Sequence, residues 1–276
     1  MNTQIISIQS QVSYGYVGNN IAGLAIQLHR LNPLMIPTVV LSNPFDYKHT
    51  YGSPVNPSLF GDLLKGILLN RFIDQCDYLI SGYCNSKDII SQIADFVQDL
   101  KSYKNCTYVY DPVYGDIRSG GLYVSKDVAD YSISKLLPLS DIITPNCFEI
   151  EYILAEKIET ADQLLRAVCR HAILKNKTVI ATSMRFQDTP VNTIEVALIK
   201  DNKIMRFASP CLPVEVVGAG DLFTAIVASQ LNRSRDVIQA IEKGLNYLHY
   251  VLLDMLELGY KEFNSNLLFK HVNLLL

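Results

Sequence analysis

The chain has 276 residues, of which 49% are hydrophobic and 18% are charged, and its formal net charge is −3. This apolar content is enough for a sizeable core and argues against disorder, while the slightly negative charge excludes a general attraction to nucleic acid or to anionic membranes. Six cysteines without a C-x-x-C pair or a histidine cluster argue against a zinc site. The start of the chain lacks the features of a signal peptide, so we expect a soluble, cytoplasmic protein with reduced thiols.

The first residues predict the opening of a βαβ unit. A β-rich apolar segment at 4–8 runs into a polar loop at 9–20, and apolar residues then recur at helical spacing from Ile21 to Leu31. Ligands of such units bind beyond the carboxyl end of the strand, which makes Ser10 and Gly18 candidate ligand contacts.

The alternation of strands and helices continues along the chain. Further strands are predicted at 34–41, 77–81, 107–110, 141–143 and 178–181. Helices are predicted at 58–69, 86–103, 127–137, around 149–151 and at 160–174. Pro37 indicates an edge position or a bulge in its strand. The proline-rich segment 44–57 is predicted to be a long loop or flap, and the glycines of 115–121 indicate a lid.

The pattern changes in the last third of the chain. Segments 193–199 and 204–208 are predicted strands, and the turn residues Asp201 and Asn202 between them indicate an antiparallel hairpin. Helical patterns follow at 222–231, 235–258 and 265–275. The sequence therefore predicts one α/β domain over 1–276, a three-layer α/β/α sandwich with a mostly parallel central sheet and an antiparallel edge hairpin.

A glycine motif, Gly218-Ala219-Gly220-Asp221, stands before the helical pattern at 222–231. Glycines let the backbone approach a ligand closely, and a helix that begins there directs its unpaired N–H groups and its positive dipole end at the turn. Such a site suits a phosphate or the charge that develops during phosphoryl transfer. Asp221 would lie beside that charge, where it could take a proton from an attacking hydroxyl.

Polar residues also follow the predicted strands, and the carboxyl ends of parallel strands meet at one edge of a sheet. These residues are Ser10, Tyr83, Asp111, Thr144 and Thr182. Asp111, Glu149 and Asp221 would bring several carboxylates together, which suits Mg²⁺ held partly through water and substrate phosphates. A metal, a glycine anion hole and a carboxylate base are the parts that phosphoryl transfer needs. The P-loop and dinucleotide-binding signatures are both absent from the sequence.

These motifs resemble those of a known family. The segment 218–221 resembles the C-terminal signature of the ribokinase-like superfamily, and 8–12 with 15–19 closely resembles the N-terminal signature of the pyridoxal (vitamin B6) kinases. Further matches occur in the same order at 42–43, 81–83, 111–113 and 141–146 with Glu149. The resemblance implies a ribokinase-like fold and an ATP-dependent kinase that phosphorylates the 5′-hydroxymethyl group of a B6 vitamer in a salvage pathway.

The resemblance also implies a role for each matching residue. Asp221 would be the general base, with Gly218, Ala219 and Gly220 as the anion hole for the γ-phosphate. The residues implied on the nucleotide side are Asp111, Tyr123, Thr144, Asn146, Glu149, Thr182, Ser183 and Gly220, of which Asp111 and Glu149 would organise Mg²⁺ through water. Ser10, Val17 and Tyr83 would hold the pyridine ring. A homodimer is implied as well, and a need for a monovalent cation such as K⁺ stays open.

One departure from the family pattern concerns the acceptor. After Ser42-Asn43 the family usually has His-Thr, where this chain has Pro44-Phe45. Hydrogen bonds to ring substituents would be lost, and either Phe45 could stack on the ring or Asp46 could supply a polar contact. A hydroxymethylpyrimidine kinase of the same fold is therefore an alternative. A non-catalytic vitamer-binding protein is another, although Asp221 and its glycines are all retained.

Overall fold

The computed structural model describes residues 5–118 and 120–276, so Gln4 of the first predicted strand and Ser119 of the predicted lid lie outside the described residues. The strands are β1 (Ile5–Val12), β2 (Pro33–Leu41), β3 (Gly52–Pro54), β4 (Tyr78–Ser81), β5 (Thr107–Tyr110), β6 (Gly115–Asp116), β7 (Gly121–Leu122), β8 (Ile142–Ile143), β9 (Thr178–Met184), β10 (Thr193–Lys200) and β11 (Lys203–Pro210). The helices are α1 (Asn19–Leu28), α2 (Pro57–Leu69), α3 (Lys87–Tyr103), α4 (Lys126–Leu136), α5 (Cys147–Leu154), α6 (Ala161–Arg170), α7 (Ala219–Ser234), α8 (Val237–Leu258) and α9 (Ser265–Lys270).

Nine of the strands form one sheet in the order β11-β10-β9-β8-β5-β4-β1-β2-β3. The pairs from β9 to β2 are parallel, and β10 and β11 form the antiparallel hairpin at one edge, as the sequence predicts. Strand β3 was not predicted. It pairs antiparallel with the end of β2 at the other edge, inside the segment expected to be a loop.

Helices cover both faces of the sheet. One core lies between the sheet and α2 to α6, and a second core lies between the sheet and α1, α7, α8 and α9. Strand β1 contributes Ile6 and Ile8 to the first core and Ile5 to the second, so it is buried on both faces as a central parallel strand should be. The three-layer α/β/α fold is confirmed. No helix in the described part of the chain combines the length and hydropathy needed to cross a membrane.

A bulge in β2 connects this strand to Tyr83. The pairing of β1 with β2 shifts where Gln9 faces Pro37 and Gln11 faces Val40, which confirms the irregularity that Pro37 predicts. Thr38 lies in this bulge, and its hydroxyl donates a hydrogen bond to the backbone oxygen of Tyr83 at 2.6 Å. The bulge therefore connects β2 to the residue that follows β4.

Local capping sets the helix boundaries. Helix α2 begins after Asn56, whose side chain accepts a hydrogen bond from the Ser58 N–H at 2.9 Å, so the prediction of a helix beginning at Ser58 was late by one residue. Pro57 suits the first turn because its ring fixes φ and it has no N–H that would go unpaired. Helix α6 begins after Thr160, whose hydroxyl oxygen accepts a hydrogen bond from the Gln163 N–H at 3.2 Å. Asp201 and Asn202 both have positive φ (50° and 57°), as a two-residue hairpin turn requires.

Candidate active site

A cavity of about 360 Å³ lies at the carboxyl ends of the parallel strands, where the sequence predicts a site. Its lining includes the predicted residues Ser10, Val17, Phe45, Tyr83, Asp111, Tyr123, Thr144, Asn146, Glu149, Thr182, Gly218, Ala219, Gly220 and Asp221. Ser183 does not line it; this exposed residue follows Thr182 on β9. The fold thus brings together residues from both ends of the chain, while their individual roles stay predictions.

The glycine motif forms the start of α7. Gly218 is the N-cap residue with φ 87°, a left-handed conformation that favours glycine. A Cβ atom on Gly218 would lie 2.1 Å from the backbone oxygen of Tyr16, so the motif and the N-terminal loop are in direct contact. A Cβ atom on Gly220 would meet nothing within 4 Å. The open space at Gly220 is therefore available to a ligand in the cavity.

The N-terminal loop holds the Asp221 carboxylate. The backbone N–H of Gly18 donates to Asp221 Oδ2 at 2.8 Å, across 203 positions of sequence. Gly18 was predicted to contact a ligand, which stays a prediction, and its N–H contacts the carboxylate expected to be the base. A Cβ atom on Gly18 would lie 2.2 Å from Ser10 Oγ, so only glycine fits here.

The surroundings of Asp221 make it a stronger base than an ordinary aspartate. The carboxylate is half-buried, since water reaches it through the cavity, but the protein packed around it disfavours its charge. This desolvation raises its pKa from 3.8 to about 6, and the hydrogen bond from Gly18 acts in the opposite direction. Asp221 is therefore largely ionised at neutral pH and able to accept a proton.

Asp111 follows β5 and is buried. The Thr224 hydroxyl donates to Asp111 Oδ2 at 2.8 Å and lies 3.0 Å from the hydroxyl oxygen of Thr144. Burial, followed by the nearby Glu149 and Asp221 carboxylates, raises the pKa of Asp111 well above its ordinary value. Thr224 was missed by the sequence reasoning. Its place one helical turn after Asp221 is the signal that could have indicated it.

Glu149 is buried at the N terminus of α5 and ties this helix to the lid. Its Oε2 atom accepts from the backbone N–H of the N-cap residue Asn146 at 2.9 Å, and Asn146 Oδ1 accepts from the Glu149 N–H at 3.0 Å. Its Oε1 atom accepts from the N–H groups of Tyr114 (3.0 Å) and Gly115 (3.4 Å). Burial nevertheless raises the pKa of Glu149 to about 7. Pro145 lies directly before the N-cap residue, and α5 begins at Cys147 and includes the predicted helical residues 149–151.

The segment predicted to be a lid contains a short hairpin of β6 and β7. Asp116 and Arg118 form an ion pair at 2.9 Å, and both line the cavity together with Tyr123. Among the described lining residues Arg118 is the one with a basic side chain, against five carboxylates: Asp46, Asp111, Asp116, Glu149 and Asp221. This acidic cavity repels phosphate, so a phosphate bound here needs additional positive charge.

The other half of the cavity is apolar and aromatic. Val12, Leu41 and Tyr83 form a small cluster against which Val17 packs, and the Phe45 ring lies 5.9 Å from the Tyr83 ring with an interplanar angle of 59°. Phe45 is 58% exposed, which leaves much of its ring available for contact. A flat aromatic ligand of the size of a pyridine would fit this chemistry.

A second cavity of about 770 Å³ adjoins the first. The two share the lining residues Asp46, Arg118, Tyr123, Val216 and Val217. Its other walls come from Tyr47, from 213–215 and from the end of α8 with the residues that follow it, up to Glu262. The two adjoining cavities together have room for two small molecules.

The chain is similar in sequence to known kinases. The family model described as phosphomethylpyrimidine kinase matches residues 59–266. The pyridoxal kinase PdxY of Leifsonia xyli is 31% identical over 260 residues, which cover 94% of this chain and 92% of that protein. The pyridoxal kinase of Homo sapiens is 31% identical over 263 residues, 90% of this chain and 84% of that protein.

Solved structures show the same fold. The pyridoxal kinase of Entamoeba histolytica superposes with a TM-score of 0.89 at 22% identity and covers 100% of this chain and 96% of that one. The pyridoxal kinase of Leishmania donovani in complex with ADP and pyridoxine superposes with a TM-score of 0.86 at 26% identity. That alignment covers 100% of this chain and 96% of that one.

We expect different effects on stability and ligand binding when each of the two glycines of the motif is replaced by alanine. Gly218→Ala places a Cβ atom against Tyr16 and strains a left-handed residue, so we expect destabilisation of about 1–3 kcal/mol, measured by chemical unfolding. Gly220→Ala meets no protein atom, so we expect unchanged unfolding but weaker ATP binding in calorimetry. Equal stability of both variants would contradict the contact between the motif and the N-terminal loop.

Proposed function

The chain belongs to the pyridoxal kinase family, and we propose that it transfers the γ-phosphate of ATP to the 5′-hydroxymethyl group of a B6 vitamer. The observation that carries the proposal is the Asp221 carboxylate, held by Gly18 at the start of α7 inside the cavity with a raised pKa. The family relationship supports a phosphotransferase that acts on an alcohol. The Leishmania donovani protein, which binds ADP and pyridoxine together, supports two small-molecule substrates in one site.

In the proposed reaction, Asp221 takes the proton of the vitamer 5′-hydroxyl as its oxygen attacks the γ-phosphorus of ATP. The bond from that phosphorus to the bridging oxygen of ADP breaks, and the proton stays on Asp221 until the products leave. The backbone N–H groups of Gly218, Ala219 and Gly220 donate to the oxygens of the transferring phosphoryl group. The N–H of Gly18 keeps the carboxylate oriented, so that its unengaged Oδ1 atom can face the hydroxyl.

The acidic lining supports a metal-dependent reaction. Both oxygens of Glu149 already accept backbone N–H groups, so we propose that Glu149 and Asp111 hold Mg²⁺ through water rather than by direct ligation. Mg²⁺ bound in this way would neutralise the charge of the ATP phosphates beside the five carboxylates. Thr144, Asn146 and Thr182 would contact the phosphates. Ser183 does not line the cavity, so it would contact a part of the nucleotide that lies outside the cavity. A K⁺ requirement is compatible with the same acidic surroundings.

The aromatic half of the cavity is the proposed binding place of the vitamer ring. Ser10 would donate a hydrogen bond to the ring, while Val17, Tyr83 and Phe45 pack against its faces. Tyr123 on the lid would cover the phosphates.

We further propose that the chain is a single domain, assembles as a homodimer and is located in the cytoplasm. These proposals rest on the family relationship and on the composition of the chain.

A hydroxymethylpyrimidine kinase is the second candidate. The matching family model bears a pyrimidine kinase description, and Pro44-Phe45 removes the polar pair that the pyridoxal kinases usually carry beside the ring. Phe45 would stack on a pyrimidine as well as on a pyridine. The Ser10 motif and the curated relatives favour the B6 vitamer.

An acceptor panel tests the proposal. We expect ATP turnover in the presence of Mg²⁺ with pyridoxal, pyridoxine or pyridoxamine, and little with hydroxymethylpyrimidine, measured by ADP release. Turnover with the pyrimidine alone would assign the second candidate function. Silence with all four would leave the binding-protein alternative.

The raised pKa of Asp221 predicts an unusual pH profile. A base works when deprotonated, so kcat/KM for the vitamer should fall about tenfold per pH unit below about pH 6, where an ordinary aspartate would hold its activity to about pH 4. Asp221→Asn should lower kcat by about 10²–10⁴-fold while ATP still binds. Near-normal turnover by that variant would overturn the assignment of Asp221 as the base.

The Phe45 ring predicts a change in vitamer affinity alone. An aromatic contact is worth about 0.5–1.5 kcal/mol, so Phe45→Ala should raise the KM for the vitamer about threefold to tenfold and leave the KM for ATP unchanged. Phe269→Ala is the matched control, because Phe269 is similarly exposed and lies on α9 outside the cavity. An unchanged vitamer KM would mean that the ring binds elsewhere.

A further inference from the structure

The segment 42–51, here called the flap, places Phe45 at the cavity. The two ends of the flap, here called its base, are held by several hydrogen bonds. The N–H of Ser42 donates to the Tyr51 oxygen at 2.7 Å, and the Asn43 side-chain amide donates to Thr50 Oγ1 and to the Pro44 oxygen, each at 2.9 Å. These contacts fix where the flap leaves and rejoins the body of the protein. They involve residues at its two ends and do not hold its tip, 45–49.

The tip is exposed but is connected to a distant part of the chain. The Tyr47 hydroxyl donates a hydrogen bond to Glu262 Oε1, across 215 positions of sequence. The Tyr47 ring also packs edge-on against Tyr14, with 6.1 Å between the ring centres. The hydrogen bond therefore joins the tip to the segment between α8 and α9.

That segment is firmly attached to the body of the protein. Phe263, the next residue after Glu262, is 3% exposed and belongs to the core between the sheet and α7, α8 and α9. Asn264 then caps α9 by accepting from the Leu267 N–H at 3.1 Å. With a buried ring and a helix cap directly after it, Glu262 has a fixed position, and a flap tip bound to it is held as well.

We propose that Glu262 is a positioning residue for acceptor binding, which through Tyr47 holds the flap so that Phe45 faces Tyr83 across the vitamer half of the cavity. Phe45 is two residues from Tyr47, and its ring has the Tyr83 ring as its aromatic partner in the described part of the chain. Displacement of the tip would widen the cavity at this wall, while Gly218 and Asp221 would keep their positions at the start of α7. This inference rests on the proposed function only in naming the vitamer as the molecule that Phe45 contacts.

Kinetic variants test the connection. Glu262→Ala removes the acceptor and Tyr47→Phe removes the donor, while Tyr47→Phe keeps the ring on Tyr14. Each should raise the KM for the vitamer about threefold to tenfold and leave kcat within about twofold of that of the unmodified protein. Tyr47 and Glu262 also line the second cavity, so the KM for ATP is measured beside the vitamer KM and should change less. The double variant should be no worse than either single variant, because all three lack the same hydrogen bond. Glu262→Gln retains an acceptor oxygen and should restore most of the affinity.

Tyr51→Phe is the matched control for the flap. Tyr51 is 75% exposed at the base, its side chain does not line the cavity, and its replacement should change none of these constants. Unchanged vitamer KM in Glu262→Ala and Tyr47→Phe would overturn the proposal. Equal changes in all three constants would overturn it too, because they would indicate a general loss of structure.

A spectroscopic measurement separates this inference from the proposed function. The chain has no tryptophan, so Phe45→Trp introduces a single reporter at the flap tip. In that background Glu262→Ala should shift the emission to longer wavelength and increase quenching by acrylamide, whether or not any vitamer is phosphorylated. Identical emission and quenching with and without Glu262 would overturn the connection. Failure of the acceptor panel alone would overturn the proposed substrate and leave the flap connection standing.

Discussion

The hydrogen bond from the Gly18 N–H to Asp221 is the interaction on which the site depends. It joins the loop after β1 to the start of α7 and fixes the orientation of a half-buried carboxylate. Both backbone segments must approach closely for this bond to form. Gly18 has no room for a side chain beside Ser10, and Gly218 has none beside Tyr16. Gly218 is thus explained by the contact between the two segments, and Gly18 by the close packing of its own loop against Ser10.

Burying several acidic side chains in this region costs electrostatic free energy. Burial and neighbouring carboxylates raise the pKa of Asp111, and burial raises that of Glu149 in spite of three backbone N–H donors. Val113, two residues after Asp111, also has a positive φ of 42°, which is unfavourable for a β-branched residue. A strained backbone and several acidic groups close together at one cavity are typical of a site that is stabilised by its ligands. Bound cations would favour the ionised form of these groups and relieve the repulsion between them.

Much of this arrangement could be predicted from the sequence because it follows from local patterns. Strand ends mark the cavity through the geometry of parallel sheets, and Asp201 with Asn202 marks the hairpin through the positive φ that its turn requires. Strand β3 could not be predicted, because its three residues Gly52–Pro54 look like a turn and become a strand only by pairing with β2. Thr224 and Glu262 were missed for a related reason. Their partners are 113 and 215 positions away, so these contacts follow from the fold, and the one local signal is the place of Thr224 a helical turn after Asp221.

The two halves of the cavity differ in how much their residues can change. On the phosphate side, glycines without room for a side chain and buried carboxylates with several partners leave little freedom. On the acceptor side, Phe45 is an exposed ring on a flap whose base is held mainly by backbone atoms and Asn43. Replacing a residue at the flap tip changes the wall that faces the acceptor without disturbing Asp221 or the glycine motif. This separation explains how Pro44-Phe45 can depart from the family pattern while the residues proposed for phosphoryl transfer are retained, and it supports the proposal that the flap sets acceptor preference.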